Sequence, residues 1–250
     1  MVDAASRIRR RENLDKDDSI VLMLAALCHD FGKKVTTKWD GERWVSPNHA
    51  NVGVNLTRKF LDKIGCPLKY RTAIETLVDE HMEHLNFTEK NANARGVRRF
   101  INRLVNGETN LRMLGFLVEA DHSGRPPLAG GVPQTMQNIF DIAAELELDG
   151  ESKIAPEITG DELIALGFKE GKELGDVLKQ LYQKQLDGED VRCKYLAVLL
   201  GDLIICNDDF RGWIDFFSQD YDGFYIKNCN VMMKYSDINW PSTIKERLKQ

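Results

Sequence analysis

The hydrophobic pattern of the chain is a succession of helical periods, and one of them stands apart. Ile20, Val21, Leu22, Met23, Leu24, Ala25, Ala26 and Leu27 are apolar on every face of a helix, so the pattern predicts a segment over 20–27 that is buried all round. It runs into His29, Asp30, Gly32 and Lys33, with Gly32 read as the helix stop. Ionisable groups that deep must be paired or must hold a metal. Adjacent helical residues point about 100° apart, so His29 and Asp30 can share an ion only beside the helix end. Further ligands must then come from other helices.

The remaining periods predict more helices. Met1, Val2, Ala5 and Ile8 lie at helical spacing with no N-cap before them, as if that helix began earlier. Asp15, Asp17 and Asp18 suit the N-terminal turn of the apolar helix. Asp40-Gly41, between Trp39 and Trp44, admits either a small hairpin or an irregular loop with an aromatic clasp. His49 opens an amphipathic helix closed by Gly65 and Pro67. A helix over 68–85 carries His81 and His84 on one face. Residues 94–104 form a basic helix with Arg95, Arg98, Arg99 and Arg103, and the apolar helix over 111–121 ends in Asp121, His122 and Arg125. Proline and glycine punctuate 126–133. Helices near 134–148, 160–166, 171–186 and 191–206 follow, then an aromatic stretch with Trp213, Phe216, Phe217, Tyr221, Phe224 and Tyr225. These aromatics suit core or interface packing better than base stacking. The prediction is an all-α protein: a helical bundle over 1–130 and a helical tail over 134–250.

Composition narrows the classes. With 42% hydrophobic and 29% charged residues the chain can bury a core and stay soluble. A net charge of −5 argues against a general electrostatic nucleic-acid binder and leaves room for a local basic patch. Cys28, Cys66, Cys193, Cys206 and Cys229 form no CxxC pair, which excludes a zinc ribbon or disulfide scaffold and favours reduced thiols in the cytoplasm. No signal peptide or apolar run of membrane-spanning length is present, so no membrane partner is expected.

The chemistry concentrates early. All five histidines lie between positions 29 and 122, four of them beside acidic residues. A mixed nitrogen and oxygen donor set suits divalent Ni, Mn, Co, Fe or Zn, with Mg less typical. Such an ion lowers the pKa of bound water towards about 7 and offsets phosphoryl charge, which suits phosphoester hydrolysis. The plainer alternatives are a helix-capping imidazole and carboxylate at His29 and Asp30, a capping carboxylate at Asp121, and a solvated arginine face.

ALCHDFGK, PNHANVG, VDEHMEH and EADHSGR, in that order, resemble the HD superfamily of metal-dependent phosphohydrolases. More narrowly, with ITGDELIALGFKEGKELGDVLKQLYQKQLDGE, the chain to about residue 190 is similar to the HD domain and helical tail of bacterial CCA-adding enzymes, tRNA nucleotidyltransferases that also carry phosphohydrolase activity. The resemblance implies an HD-type bundle with His29, Asp30 and Asp121 as metal ligands. It implies that His49 and His81 bind the scissile phosphate or a second ion, that Asp30 and Lys33 act in catalysis, and that Lys33 and Arg125 contact substrate. The family's first ligand histidine lies a few residues before the segment matching MVDAAS, so the first helix reads as truncated, and the nucleotidyltransferase head is absent. The expected activity is that of a phosphatase or 2′,3′-cyclic phosphodiesterase on nucleotides or RNA 3′ ends, including the tRNA 3′ end. A separate nucleotidyltransferase head or a second copy is an expected partner. The competing expectation is a non-catalytic RNA-binding or assembly module.

Overall fold

A computed structural model describes residues 1–124, 130–165, 168–191, 223–226 and 231–234. The chain divides into two compact units, Met1–Ile154 and Ala155–Gln250, and its architecture is all-α with short hairpins.

The first unit is a helical bundle. Helix α1 (Val2–Arg11) leads into α2 (Lys16–Cys28), whose N-cap Asp15 accepts a hydrogen bond from the Asp18 backbone N–H at 2.8 Å. Helix α2 packs on α1, on α5 (Leu68–Glu80) and on α7 (Leu111–Ser123). These neighbours cover most of it and not the whole circumference: Leu22, Ala25 and Ala26 are buried, Met23 and Leu24 half-buried, and Leu27 is 44% exposed. The expectation of burial all round is corrected to that extent. The helix also stops at Cys28, short of Gly32.

Gly32 has a different task. It precedes the single turn α3 (Lys33–Thr36), and a Cβ there would lie 1.9 Å from the His49 carbonyl oxygen and 2.8 Å from the Gly53 nitrogen. Only hydrogen at this position lets the chain leaving α2 lie backbone against backbone on α4 (His49–Lys63). Between them the chain forms an antiparallel hairpin, β1 (Lys38–Trp39) with β2 (Trp44–Val45), deciding between the two alternatives open at Asp40-Gly41.

Helix α5 ends at Glu80, earlier than the periodicity suggested, and His84 belongs to a separate 3-10 turn, Glu83–Asn86. The fully buried Leu22, Ile74, Leu77, Phe100, Leu104, Leu114 and Leu117 unite α2, α5, α6 (Ala94–Asn106) and α7. Arg11 grips the buried Glu119 carboxylate with both terminal nitrogens, at 2.6 and 2.8 Å, and so fastens α1 to α7. Helix α8 (Gln134–Glu145) packs on α6 and the 3-10 turn, which carries this unit beyond the 130 suggested by the proline and glycine run.

In the second unit α9 (Gly160–Ala165) packs on α10 (Lys172–Leu186). The buried Gln185 side chain donates to the Ala155 carbonyl and accepts from the Glu157 N–H. Strands β3 (Gly223–Ile226) and β4 (Val231–Lys234) pair antiparallel, so the tail expected to be helical to residue 250 contains a hairpin where aromatic and β-branched residues cluster. Apart from Val191 the helix expected over 191–206, and most of the aromatic stretch, lie outside the described residues. No helix among the described residues is long and apolar enough to cross a membrane.

Candidate metal centre

Four elements bring their ends to one place. His29 and Asp30 follow the last turn of α2, His49 opens α4, His81 closes α5 and Asp121 lies in the last turn of α7. Asp30 is the hub. Its Oδ2 is 3.1 Å from His29 Nε2 and 2.7 Å from Lys33 Nζ, while its Oδ1 is 3.4 Å from His49 Nε2. Asp121 Oδ1 stands 3.5 Å from His29 Nε2. The rings of His29 and His49 each lie 5.3 Å from that of His81. Asp30, His49 and His81 offer donor atoms all within 4.8 Å of one another, spacing compatible with a shared ion.

The imidazoles are aimed alike. Nδ1 of His29, His49 and His81 contacts the carbonyl of Ala26, Ser46 and Val78 at 3.0, 2.8 and 2.7 Å. A carbonyl only accepts, so each Nδ1 carries the proton and donates it, which turns Nε2 inward. Those three Nε2 atoms and Asp30 Oδ1 are buried without a hydrogen-bond partner. An unsatisfied buried polar atom costs about 1–3 kcal/mol, and four at one point form a donor set that a divalent cation satisfies. The residues present fit such an ion.

With no ion bound, the carboxylates around His29 hold a proton on its Nε2, which an ion must displace to reach that nitrogen. Burial opposes a charge on His29, yet the carboxylates of Asp121 and Asp30 outweigh it and push the imidazole up to about 9. Asp30 is held well below the usual carboxylate range: burial works against its charge, and His29 and Lys33 prevail. Burial pushes His81 down to about 4, against the favourable Val78 carbonyl. His81 is thus neutral near pH 7 and carries a free lone pair.

His84 and His122 stand apart from this convergence. His84 Nδ1 meets Thr135 Oγ1 at 2.7 Å and His122 Nδ1 meets the Gly131 carbonyl at 3.2 Å. Arg125 lies outside the described residues. Sequence reasoning did not single out Ala26, Ser46 and Val78, which act through backbone carbonyls that no side-chain pattern reports. Gly32 reads in the sequence as a stop signal, and the one cue to its contact with α4 is Gly53 inside the next helix.

The HD domain family matches residues 1–110, a span that holds His29, Asp30, His49 and His81. Residues 1–110 form an HD domain. At family level HD domains bind divalent metals and imply metal-dependent phosphohydrolases. The chain is also similar to a CC-adding tRNA nucleotidyltransferase from Thermus thermophilus, 32% identical over 168 residues, which cover 66% of this chain and 36% of that protein. The chain therefore spans little more than a third of the length of this relative. No solved structure gives a significant match.

Proposed function

We propose that this HD domain is a metal-dependent phosphohydrolase acting on phosphomonoesters or 2′,3′-cyclic phosphodiesters of nucleotides or RNA 3′ ends. The observation that carries the reading is the convergence of four buried, unpartnered donor atoms, His29 Nε2, Asp30 Oδ1, His49 Nε2 and His81 Nε2. His29, Asp30 and Asp121 would hold one ion; His49 and His81 would either join the other Asp30 oxygen around a second ion or contact the scissile phosphate themselves. The mixed donor set favours Ni, Mn, Co, Fe or Zn over Mg. A bound ion supplies Lewis-acid charge to a phosphoryl oxygen and acidifies water.

The protein groups do the rest. Asp30, kept ionised by His29 and Lys33, accepts a hydrogen bond from the attacking water and orients it. The Lys33 side chain, 39% exposed beside Asp30, reaches a substrate phosphoryl oxygen and offsets its charge. Arg125 would be a substrate-side cation, a role that rests on the sequence pattern. Similarity to a protein named for tRNA nucleotidyl transfer supports an RNA end as substrate, with a nucleotidyltransferase head or a second copy as partner. The buried free thiols of Cys28 and Cys66 accord with a cytoplasmic setting. The HD-type domain followed by a helical tail is part of the same reading.

The competing reading, a non-catalytic RNA-binding or assembly module, draws on the arginines of α6. Arg103 commits its guanidinium to Glu80 at 2.8 and 3.0 Å, which leaves that face less suited to phosphates. The deciding experiment is the double substitution His29→Ala, Asp30→Ala with an unchanged circular dichroism spectrum. It is expected to lower metal-stimulated hydrolysis of 2′,3′-cyclic AMP on the order of a thousandfold, matching the several kcal/mol that a metal contributes. Full activity in that variant overturns the reading. A protein that retains no metal after dialysis but binds tRNA in a salt-sensitive way favours the module.

A further inference from the structure

The hairpin between the two halves of the metal centre presents two indoles to solvent. Trp39 and Trp44 face each other across the strand register, 54% and 70% exposed, with ring centroids 5.8 Å apart and planes inclined at 65°. Exposed apolar residues standing singly are ordinary, but two indoles in contact form a contiguous apolar surface of the kind that marks a contact site, and aromatic faces stack on bases of any sequence.

The hairpin is fastened to the centre at both ends. Thr37 Oγ1 donates to the Lys33 carbonyl at 2.6 Å, and Thr37 and Ser46 hydroxyls meet at 2.8 Å. Lys33 contacts Asp30, and the Ser46 carbonyl receives the His49 Nδ1 proton. Any group resting on the indoles is therefore registered against two residues of the centre. The local charge is opposite to that of the chain. Lys33, Lys34, Lys38 and Arg43 stand against Asp40 and Glu42, in a protein whose net charge is −5. Aromatic faces among cations, next to a centre suited to phosphate chemistry, match the alternation of base and phosphate along a nucleic-acid strand.

We propose that the Trp39–Trp44 hairpin is a stacking platform for an unpaired RNA end, holding its bases while the terminal phosphate lies at the metal centre. Two planes inclined at 65° cannot sandwich one base, and they offer separate faces to two bases splayed apart, so a strand end fits better than a mononucleotide. A paired end hides its base faces within the stack and is excluded. The proposal rests on the phosphohydrolase reading for where the phosphate sits, and on the exposed indoles for the rest.

The test measures fluorescence anisotropy of a labelled unpaired oligoribonucleotide of about five nucleotides with the full chain, at fixed salt. Trp44→Ala is expected to weaken binding about five- to hundredfold, the range for one lost base–aromatic stack. Trp39→Ala should do the same, and Trp44→Phe should keep most of the affinity. Hydrolysis of glycerol 2-phosphate, which has no base, should be unchanged in all three. The same oligonucleotide in a duplex should bind the wild type more weakly. Unchanged oligonucleotide binding in the Trp39→Ala, Trp44→Ala double variant overturns the platform, as does equal affinity for the duplex. Dissociation of a dimer by these substitutions with oligonucleotide binding intact also overturns it and assigns the indoles to a second copy. If the wild type hydrolyses neither 2′,3′-cyclic AMP nor glycerol 2-phosphate, the phosphohydrolase reading fails, while the anisotropy result alone still decides the platform.

Discussion

Leu77 and His81 lie four residues apart at the end of one helix, both almost wholly buried, and they answer burial in opposite ways. Leu77 gains about 1.5–3 kcal/mol from leaving water and sits among apolar neighbours in the bundle core. His81 has one nitrogen tied to the Val78 carbonyl and the other left without a partner. One residue lowers the free energy of the fold. The other raises it and holds a lone pair where an ion can use it. The difference teaches that the core and the site are built from the same helices under opposite rules, so substitutions should separate them.

The largest expected effect is on the core. Leu77→Ala should cost about 2–5 kcal/mol of stability, read as a lowered denaturation midpoint. Metal affinity measured well below that midpoint should not change, and a concurrent loss of metal would merge the two regions. Next in size, a divalent ion at about one hundred times its Kd should stabilise the wild type by about 2.7 kcal/mol. His81→Leu should reduce that gain by the share due to an ion held through Asp30, His49 and His81, while leaving the ion-free protein as stable as before or more so. An ion-free variant that melts well below the wild type would show His81 to be a core residue after all.

The smaller effect is on pH. Folded His81 and His84 titrate at about 4 because burial disfavours their charge, against about 6.5 in the unfolded chain. Between those values the unfolded chain binds more protons, so stability is complete above about pH 6.5 and falls as pH drops towards 4. His29, pushed up to about 9, works the other way: its contribution is complete below about pH 6.5 and is lost as pH rises through 9. Ion-free protein should be most stable near pH 6.5. His84→Gln should flatten the acid limb by on the order of 1–2 kcal/mol, followed by urea denaturation at stepped pH. An acid limb that keeps its steepness would show that His84 does not share the desolvation assigned to it.

Much of this was legible in the chain, for physical reasons that also mark where legibility stopped. Helical periods, the Asp15, Asp17 and Asp18 turn that opens α2 and the Gly65–Pro67 stop are local signals, and local signals write helix boundaries into sequence. The His29–Asp30 pair was conspicuous because it interrupts an apolar run, and the structure sets Asp121, His49 and His81 beside it. Which donors are nearest neighbours was not legible. That depends on how the elements meet, and the approach of the chain leaving α2 to α4 is set by the contact of Gly32 with the His49 backbone. The exposed side of α2 at Leu27 escaped for a related reason: an apolar residue states what may be covered, and only the arrangement of neighbours states what is.

The three carbonyl ties at Ala26, Ser46 and Val78 carry one more consequence. Each fixes a ring that would otherwise turn about two bonds, so the rotational freedom usually surrendered on capture of a ligand has been given up during folding. Loading the site should then be quick and should choose among ions by how well each suits a rigid frame. A chain denatured and refolded around the wrong ion should have no looser geometry in which to keep it.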